Sequence, residues 1–217
     1  MTFVWPIFRN IFHETTVVEI GPGIGALTEV LIEEADQVIA IEIDQRLIPI
    51  LNEKFGDKII LKNEDFLDVD IEALEKLIKN RKVKVIANLP YYITTPIINK
   101  IMMEMTYIDE IIIMVQKEVA ERICATPKTK KYNSLSVFCQ TVSDVNYEFT
   151  VGKEYFNPVP KIDSAIISLK RREVDVDIKE FEIFVQNSEC YMQGYVNAYR
   201  TQYRMADSCL GRLAQQK

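Results

Sequence analysis

From residue 16 to residue 124 the sequence alternates between two periodicities, and this alternation limits the fold more than any other feature. "TVVEI" (16–20), "QVIAIEI" (37–43), "KIILK" (58–62), "VKVIA" (83–87) and "EIIIMV" (110–115) are short apolar runs rich in β-branched residues, the signature of buried strands. Between them lie segments with helical spacing. In "ALTEVLIEE" (26–34), Ala26, Leu27, Val30 and Leu31 share one face, while Thr28, Glu29, Glu33 and Glu34 lie elsewhere. "DQRLIPILNEKF" (44–55) reads as a helix capped by Asp44 and stopped by Gly56, with Pro49 near its start. "IEALEKLIKN" (71–80), "TPIINKIMMEM" (95–105, Pro96 in its first turn) and "QKEVAERIC" (116–124) continue the series. Strands separated by such helices must run parallel, with helices on both faces. The expected fold class is therefore α/β, a mostly parallel doubly wound sheet. Beyond residue 124 the pattern changes. A basic loop, "TPKTKKYNS" (126–134), leads to a helix, "LSVFCQTVS" (135–143). Strands "VNYEFTV" (145–151) and "SAIISLKRR" (164–172) are then joined by a proline-rich loop without a helix. Such strands form an antiparallel pair at a sheet edge.

Composition narrows the chemistry. The chain has 217 residues, 48% hydrophobic and 27% charged, which suits a soluble globular protein. No apolar run approaches the ~20 residues of a membrane span. The N-terminus has no basic n-region or cleavage site of a signal peptide, so a cytoplasmic location is expected. The four cysteines form no CxxC pair and are expected to be reduced thiols. His13 is the sole histidine, which removes Ser-His-Asp chemistry and leaves no expected metal site. A net charge of −6 argues against nonspecific coating of nucleic acid, although a local basic patch would escape that sum.

Three stretches carry candidate chemistry. "EIGPGIGALTE" (19–29) joins a strand to a helix, and its glycines let the backbone approach a ligand. Glu42 follows about twenty residues on, where a carboxylate accepts both hydroxyls of a ribose. An adenosine-containing cofactor follows. Its identity stays open at this point, because Gly21, Gly23 and Ala26 also satisfy the dinucleotide pattern G-x-G-x-x-A. In "NEDFLD" (63–68), Asp65 could accept from an adenine amino group, with Phe66 giving a backbone N–H and an apolar wall. The same aspartate also reads as a turn cap. "NLPYY" (88–92) stands at the carboxyl end of the fourth strand, where open α/β sheets bind ligands. An exocyclic amine on a nucleobase is a poor nucleophile, because its lone pair is shared with the ring. Two acceptors aimed at its hydrogens draw that pair out of conjugation. The Asn88 side-chain oxygen and the Leu89 carbonyl could be those acceptors, with Pro90 fixing the turn and Tyr91 stacking on the base. No strong general base is required, since the proton can leave after the methyl arrives. A dehydrogenase has no use for this loop.

Together "EIGPGIGALT", "IEID", "NLPYY" and "YFNPVPKIDSAIISLKRR" (155–172) resemble the KsgA/RsmA and Erm family, S-adenosylmethionine-dependent rRNA adenine N6-dimethyltransferases. "KYNSLSVFCQ" (131–140) is similar to that family's segment before its sixth strand. The resemblance spans residues 16–172 and looks like the KsgA branch. It implies a Rossmann-like methyltransferase fold, S-adenosylmethionine as cofactor and small-subunit rRNA as partner, in a monomer. It places Glu19, Gly21, Gly23 and Gly25 along the methionine and ribose part of the cofactor and Glu42 on the ribose hydroxyls. Asp65 and Phe66 fall at the cofactor's adenine, and Asn88 borders both ligands. Asn88, Leu89, Pro90 and Tyr91 would grip the target adenine, with Phe156 on its other face. Flipping that base out costs a few kcal/mol, partly offset by stacking at ~1–3 kcal/mol per base. Lys128, Lys130, Lys131, Lys161, Lys170, Arg171 and Arg172 are candidate phosphate contacts, and a solvated face is the plain alternative.

Two departures from the family pattern set further expectations. Residues 1–15 lack the "GQNFL"-like motif that covers the cofactor. After "KEFEIFVQN" (179–187) the basic helical domain pattern is lost. Residues 1–173 are thus expected to form the methyltransferase domain and 174–217 a truncated or divergent helical segment. A non-catalytic family member that binds rRNA as an assembly factor is the alternative. An NAD-dependent oxidoreductase rests on G-x-G-x-x-A alone and lacks a pocket His or Tyr-x-x-x-Lys.

Overall fold

The computed structural model describes residues 14–79, 82–90, 93–156, 158–175 and 177–187. Expectations that fall on residues 1–13, on Tyr91 and on 188–217 lie outside them. Strands β1 (Thr15–Ile20), β2 (Gln37–Glu42), β3 (Ile60–Asn63), β4 (Lys82–Asn88), β5 (Glu110–Gln116), β6 (Ser143–Val151) and β7 (Ser164–Arg171) form a seven-stranded sheet, ordered β3-β2-β1-β4-β5-β7-β6. The first five are parallel, and β7 runs antiparallel to both β5 and β6. The strands joined without a helix therefore pair at one end of the sheet, as expected, with β6 outermost.

All six residues of β1 and of β2 are buried, because helices cover both faces. Alternate side chains serve opposite cores, as the two-residue strand period requires. Val18, Ile39 and Val85 face one core, which takes in α3 (Ile71–Glu75), α4 (Thr94–Glu104), α5 (Lys117–Ile123) and α6 (Ser134–Val142) through Leu74, Ile98, Ile123 and Phe138. Val17, Val38 and Ile86 face the other, under Leu31 of α1 (Thr28–Glu34) and Leu51 and Phe55 of α2 (Ile48–Phe55). Beyond the boundary expected at residue 173, α7 (Ile178–Asn187) buries Phe181 and Val185 in the first core. Among the described residues no helix is long and apolar enough to cross a membrane. Burial pushes the thiols of Cys124 and Cys139 up to about 11 and 12, so neither ionises near neutrality.

Two helices differ from expectation. The helix over 44–55 begins only at Ile48, because the Pro49 ring is tolerated in a first turn and not further inside. Asp44 instead holds a turn, accepting from the Arg46 N–H at 2.9 Å while Leu47 donates to its carbonyl. The helix over 71–80 stops at Glu75, after which Leu77 and Ile78 bond three residues back, the tighter 3-10 pattern.

Helix α4 ends without a glycine, and its last carbonyls need donors. Arg171 supplies them: its Nη2 donates to the carbonyls of Ile101 (3.3 Å), Met102 (2.9 Å) and Met105 (3.2 Å). Burial lowers the pKa of this guanidinium. Arg172 does the same for α6, donating to Gln140 and Ser143 carbonyls and pairing with Asp144 at 3.2 Å. Replacement Arg171→Met is expected to cost about 2–3 kcal/mol of stability, since charge-assisted bonds at a helix end are lost. Urea denaturation reads this directly, and an unchanged midpoint would show that α4 is closed by other means.

Candidate functional site at the carboxyl rim of the sheet

The register of the parallel strands gathers the candidate residues. Ile20 of β1 pairs with Ile41 of β2 on one side and Ala87 of β4 on the other. Gly21, Glu42 and Asn88 are the next residues of those strands, so all three stand at one rim. Glu42 pairs with Asn63, and Asn88 with Met114. The chain passes from β1 to β2 on one side while β4 lies on the other, which opens a crevice at this point.

The glycine loop is held in a left-handed course, with φ of +69° at Gly21, +61° at Gly23 and +82° at Gly25. At Gly25 an added Cβ would stand 2.3 Å from the Phe55 ring, so α2 packs directly against the loop. At Gly21 and Gly23 it would meet nothing within 4 Å, which leaves room for a ligand at the backbone. Glu42, buried, ties the loop to the end of β2. Its Oε2 accepts from the Gly23 N–H at 3.0 Å and its Oε1 from the Asp44 N–H at 2.9 Å. Asn63 Nδ2 donates to the Glu42 carbonyl at 2.8 Å.

Glu19 is 1% exposed. Burial pushes its carboxyl up to about 7, the nearby Glu42 charge adds to this, and the Thr28 hydroxyl, donating at 2.7 Å, opposes it. Asp65 Oδ1 caps a 3-10 turn through the Leu67 N–H at 2.9 Å, so the turn-cap reading describes that oxygen. Phe66 is buried in the first core beneath the rim. Among the described residues no lysine or arginine pairs with Glu19, Glu42 or Asp65. This carboxylate set suits a cation and hydroxyl donors and repels a pyrophosphate.

On the other side of the crevice, Leu89 is anchored in the core and its N–H donates to the Met114 carbonyl at 3.2 Å. The Pro90 carbonyl accepts from the Ile93 N–H and the Thr94 hydroxyl, both at 3.2 Å, which fixes the turn into α4. The Asn88 amide and the Leu89 carbonyl make no hydrogen bond among the described residues. Phe156, half-buried after the 3-10 turn Lys153–Tyr155, joins the core cluster that contains Met114. It lies at the same rim, because Val151 and Gln116 both pair with Ser164.

The basic candidates divide. Lys128, Lys130 and Lys161 are exposed, and Lys131 pairs with Glu121 at 2.5 Å. Lys170, Arg171 and Arg172 stand apart from these. Lys170 pairs with Glu110 at the amino end of β5, so the antiparallel course of β7 carries all three to the opposite rim. The two arginines are occupied there as helix caps. Sequence reasoning also missed Thr28, assigned to the polar face of its helix yet fully buried on Glu19. It missed Asn63, and it missed the apolar side chains that Ile24 and Ile43 expose at the rim, 65% and 63%. Their positions beside the glycine loop and Glu42 were the available signal.

The family model described as ribosomal RNA adenine dimethylase matches residues 9–195. The chain is 46% identical over 176 residues to ribosomal RNA small subunit methyltransferase A of Lactococcus lactis subsp. lactis, covering 79% of this chain and 60% of that protein. It is 46% identical over 182 residues to the protein of the same name from Bacillus pumilus, covering 82% and 62%. Among solved structures, a dimethyladenosine transferase from Plasmodium falciparum superposes with a TM-score of 0.74 at 26% identity, covering 85% of this chain and 67% of that one. The 23S rRNA methyltransferase ErmE gives 0.66 at 28%, covering 89% and 77%. The chain spans about three fifths of the length of these curated relatives.

Proposed function

The chain belongs to the ribosomal RNA adenine dimethylase family, and from that premise we propose that it moves methyl groups from S-adenosylmethionine to the exocyclic amine of a flipped adenine in small-subunit rRNA. One observation carries the reading. Gly21 and Asn88 leave adjacent parallel strands at matched register, so a loop suited to a nucleoside cofactor and a pair of unengaged acceptors open onto one crevice.

The residues fit the cofactor. Glu42 is aligned for ribose hydroxyls, Asp65 and the Phe66 N–H for an adenine edge, and buried Glu19 for a positive charge. Exposed Ile24 and Ile43 offer apolar surface. The Gly23 N–H, which a dinucleotide fold would turn on a pyrophosphate, is already taken by Glu42, and this weighs against NAD. When bound, S-adenosylmethionine supplies a methyl group made electrophilic by its sulfonium. Asn88 and Leu89 each present an acceptor to the adenine amine, Pro90 holds the turn, and Phe156 offers a ring for stacking. Tyr91 is proposed for the opposite face. Lys128, Lys130 and Lys161 remain the proposed phosphate contacts. The reaction as proposed needs no metal and proceeds in the cytoplasm with the chain as a monomer.

Calorimetric titration with S-adenosylmethionine and with NAD, followed by transfer of labelled methyl to unmethylated small-subunit rRNA, tests the reading. Binding of the first cofactor alone and label in the RNA are expected. The second reading is an rRNA-binding assembly factor without transfer. Incorporation of label would eliminate it, and RNA binding without label would establish it.

A further inference from the structure

Seven large hydrophobic side chains stand exposed among the described residues, and three of them, Tyr155 (59%), Val159 (63%) and Ile162 (41%), belong to the one loop between β6 and β7. That loop is clasped at its base. Asp163 Oδ1 accepts from the Lys153 N–H at 3.2 Å, and the Asp163 carbonyl accepts from the Lys117 N–H at 3.0 Å. The clasp sits at the rim that carries Asn88, since Ser164 pairs with the last residue of β5. Apolar side chains on so constrained a loop gain nothing from the core, and the Tyr155 hydroxyl makes no hydrogen bond among the described residues. Two exposed lysines, Lys153 and Lys161, flank the tyrosine without an ion pair among the described residues. The loop's exposed acid, Glu154, folds back over Gly152, where an added Cβ would lie 2.1 Å from its Oε1.

We propose that this loop is a second base platform, on which Tyr155 stacks on an unpaired nucleotide flanking the target adenine while Lys153 and Lys161 meet its phosphates. An aromatic face between cations is the combination that holds single-stranded nucleic acid without reading its sequence. Continuity with Phe156, the next residue in the chain, sets the occupant: the base on Tyr155 neighbours the base on Phe156. Tyr155 is a positioning residue, because it touches the RNA and not the reacting amine. The proposal rests on the rRNA reading above.

The test compares the parent chain with Tyr155→Ala, Tyr155→Phe and the double variant Lys153→Ala/Lys161→Ala. Affinity is measured for protein-free small-subunit rRNA and for intact small subunits, both unmethylated, alongside KM and kcat for methyl transfer. Tyr155→Ala is expected to weaken binding to protein-free rRNA roughly 5- to 150-fold, the equivalent of ~1–3 kcal/mol for one stacked base. KM rises by a similar factor while kcat and cofactor affinity hold, and Tyr155→Phe restores the parent values. The lysine variant flattens the salt dependence of binding. Equal affinity of Tyr155→Ala and parent for rRNA overturns the proposal. So does weakening confined to intact subunits, which would assign the loop to a protein. Absence of transfer in the parent defeats the functional reading, and the affinity ratio still decides the role of Tyr155.

Discussion

Asn88→Ala is expected to cut methyl transfer by about two to three orders of magnitude and to leave cofactor affinity within a few-fold of the parent. The adenine amine reacts only when its lone pair is released from the ring, and that requires acceptors in fixed positions. The structure keeps two in reserve: the Asn88 amide and the Leu89 carbonyl have no partners among the described residues. Their positions are set by other groups, the Leu89 N–H on Met114 and the Pro90 carbonyl under Ile93 and Thr94. Alanine removes one acceptor and none of these supports. The loss is expected on the order of 10²–10³-fold, the scale on which a preorganised hydrogen-bonding group contributes to a transition state. Single-turnover transfer and calorimetry on the same preparation separate the two effects. Ordinary turnover in the variant would sink the two-acceptor mechanism.

Glu19→Gln is expected to raise stability and lower cofactor affinity together. The Glu19 carboxyl sits at about 7 in the fold, against an ordinary value of 4.5, chiefly through burial. A raised carboxylate is a cost to the folded chain. Below the ordinary value both states are protonated and the cost is absent. As pH rises toward 7 the unfolded chain ionises first, so stability falls across that window and stays lowered above it. The full cost is roughly 3 kcal/mol. Glutamine keeps the partner for Thr28 and carries no charge, so the variant should exceed the parent in urea midpoint at pH 8 and match it near pH 4.5. A cationic ligand reverses the balance, because it favours ionised Glu19. Cofactor binding to the parent should therefore tighten as pH rises through 7 with release of a proton, and the variant should bind more weakly with no such pH dependence. A stability difference that does not change with pH would refute the assignment.

The strands, the glycine loop, Glu42 and the "NLP" turn were legible because each is written in neighbouring residues: a two-residue period, a run of small residues, a proline behind an amide. What was illegible depended on direction. "LKRR" at the end of β7 reads as a basic patch for phosphate, and nothing local says that β7 runs backward and delivers it to the far rim. The use of Arg171 and Arg172 as caps is invisible for the same reason, since α4 and α6 lie about seventy and thirty residues earlier in the chain. Thr28 was misassigned because helical spacing predicts which face a residue occupies and not that a buried carboxylate on the preceding strand needs its hydroxyl. Asp65 was read both ways, and its Oδ1 turned out to serve the turn.

The reversal of β7 also decides how the molecule divides its labour. Its eight residues carry the chain ~25 Å from the rim that holds Asn88, and α7 starts from that remote side, docking through Phe181, Val185 and the Asn99–Glu182 bond. Helix α7 is thus a strut that starts at the far rim and is tied to the middle of α4, bracing the first core from the side away from Asn88.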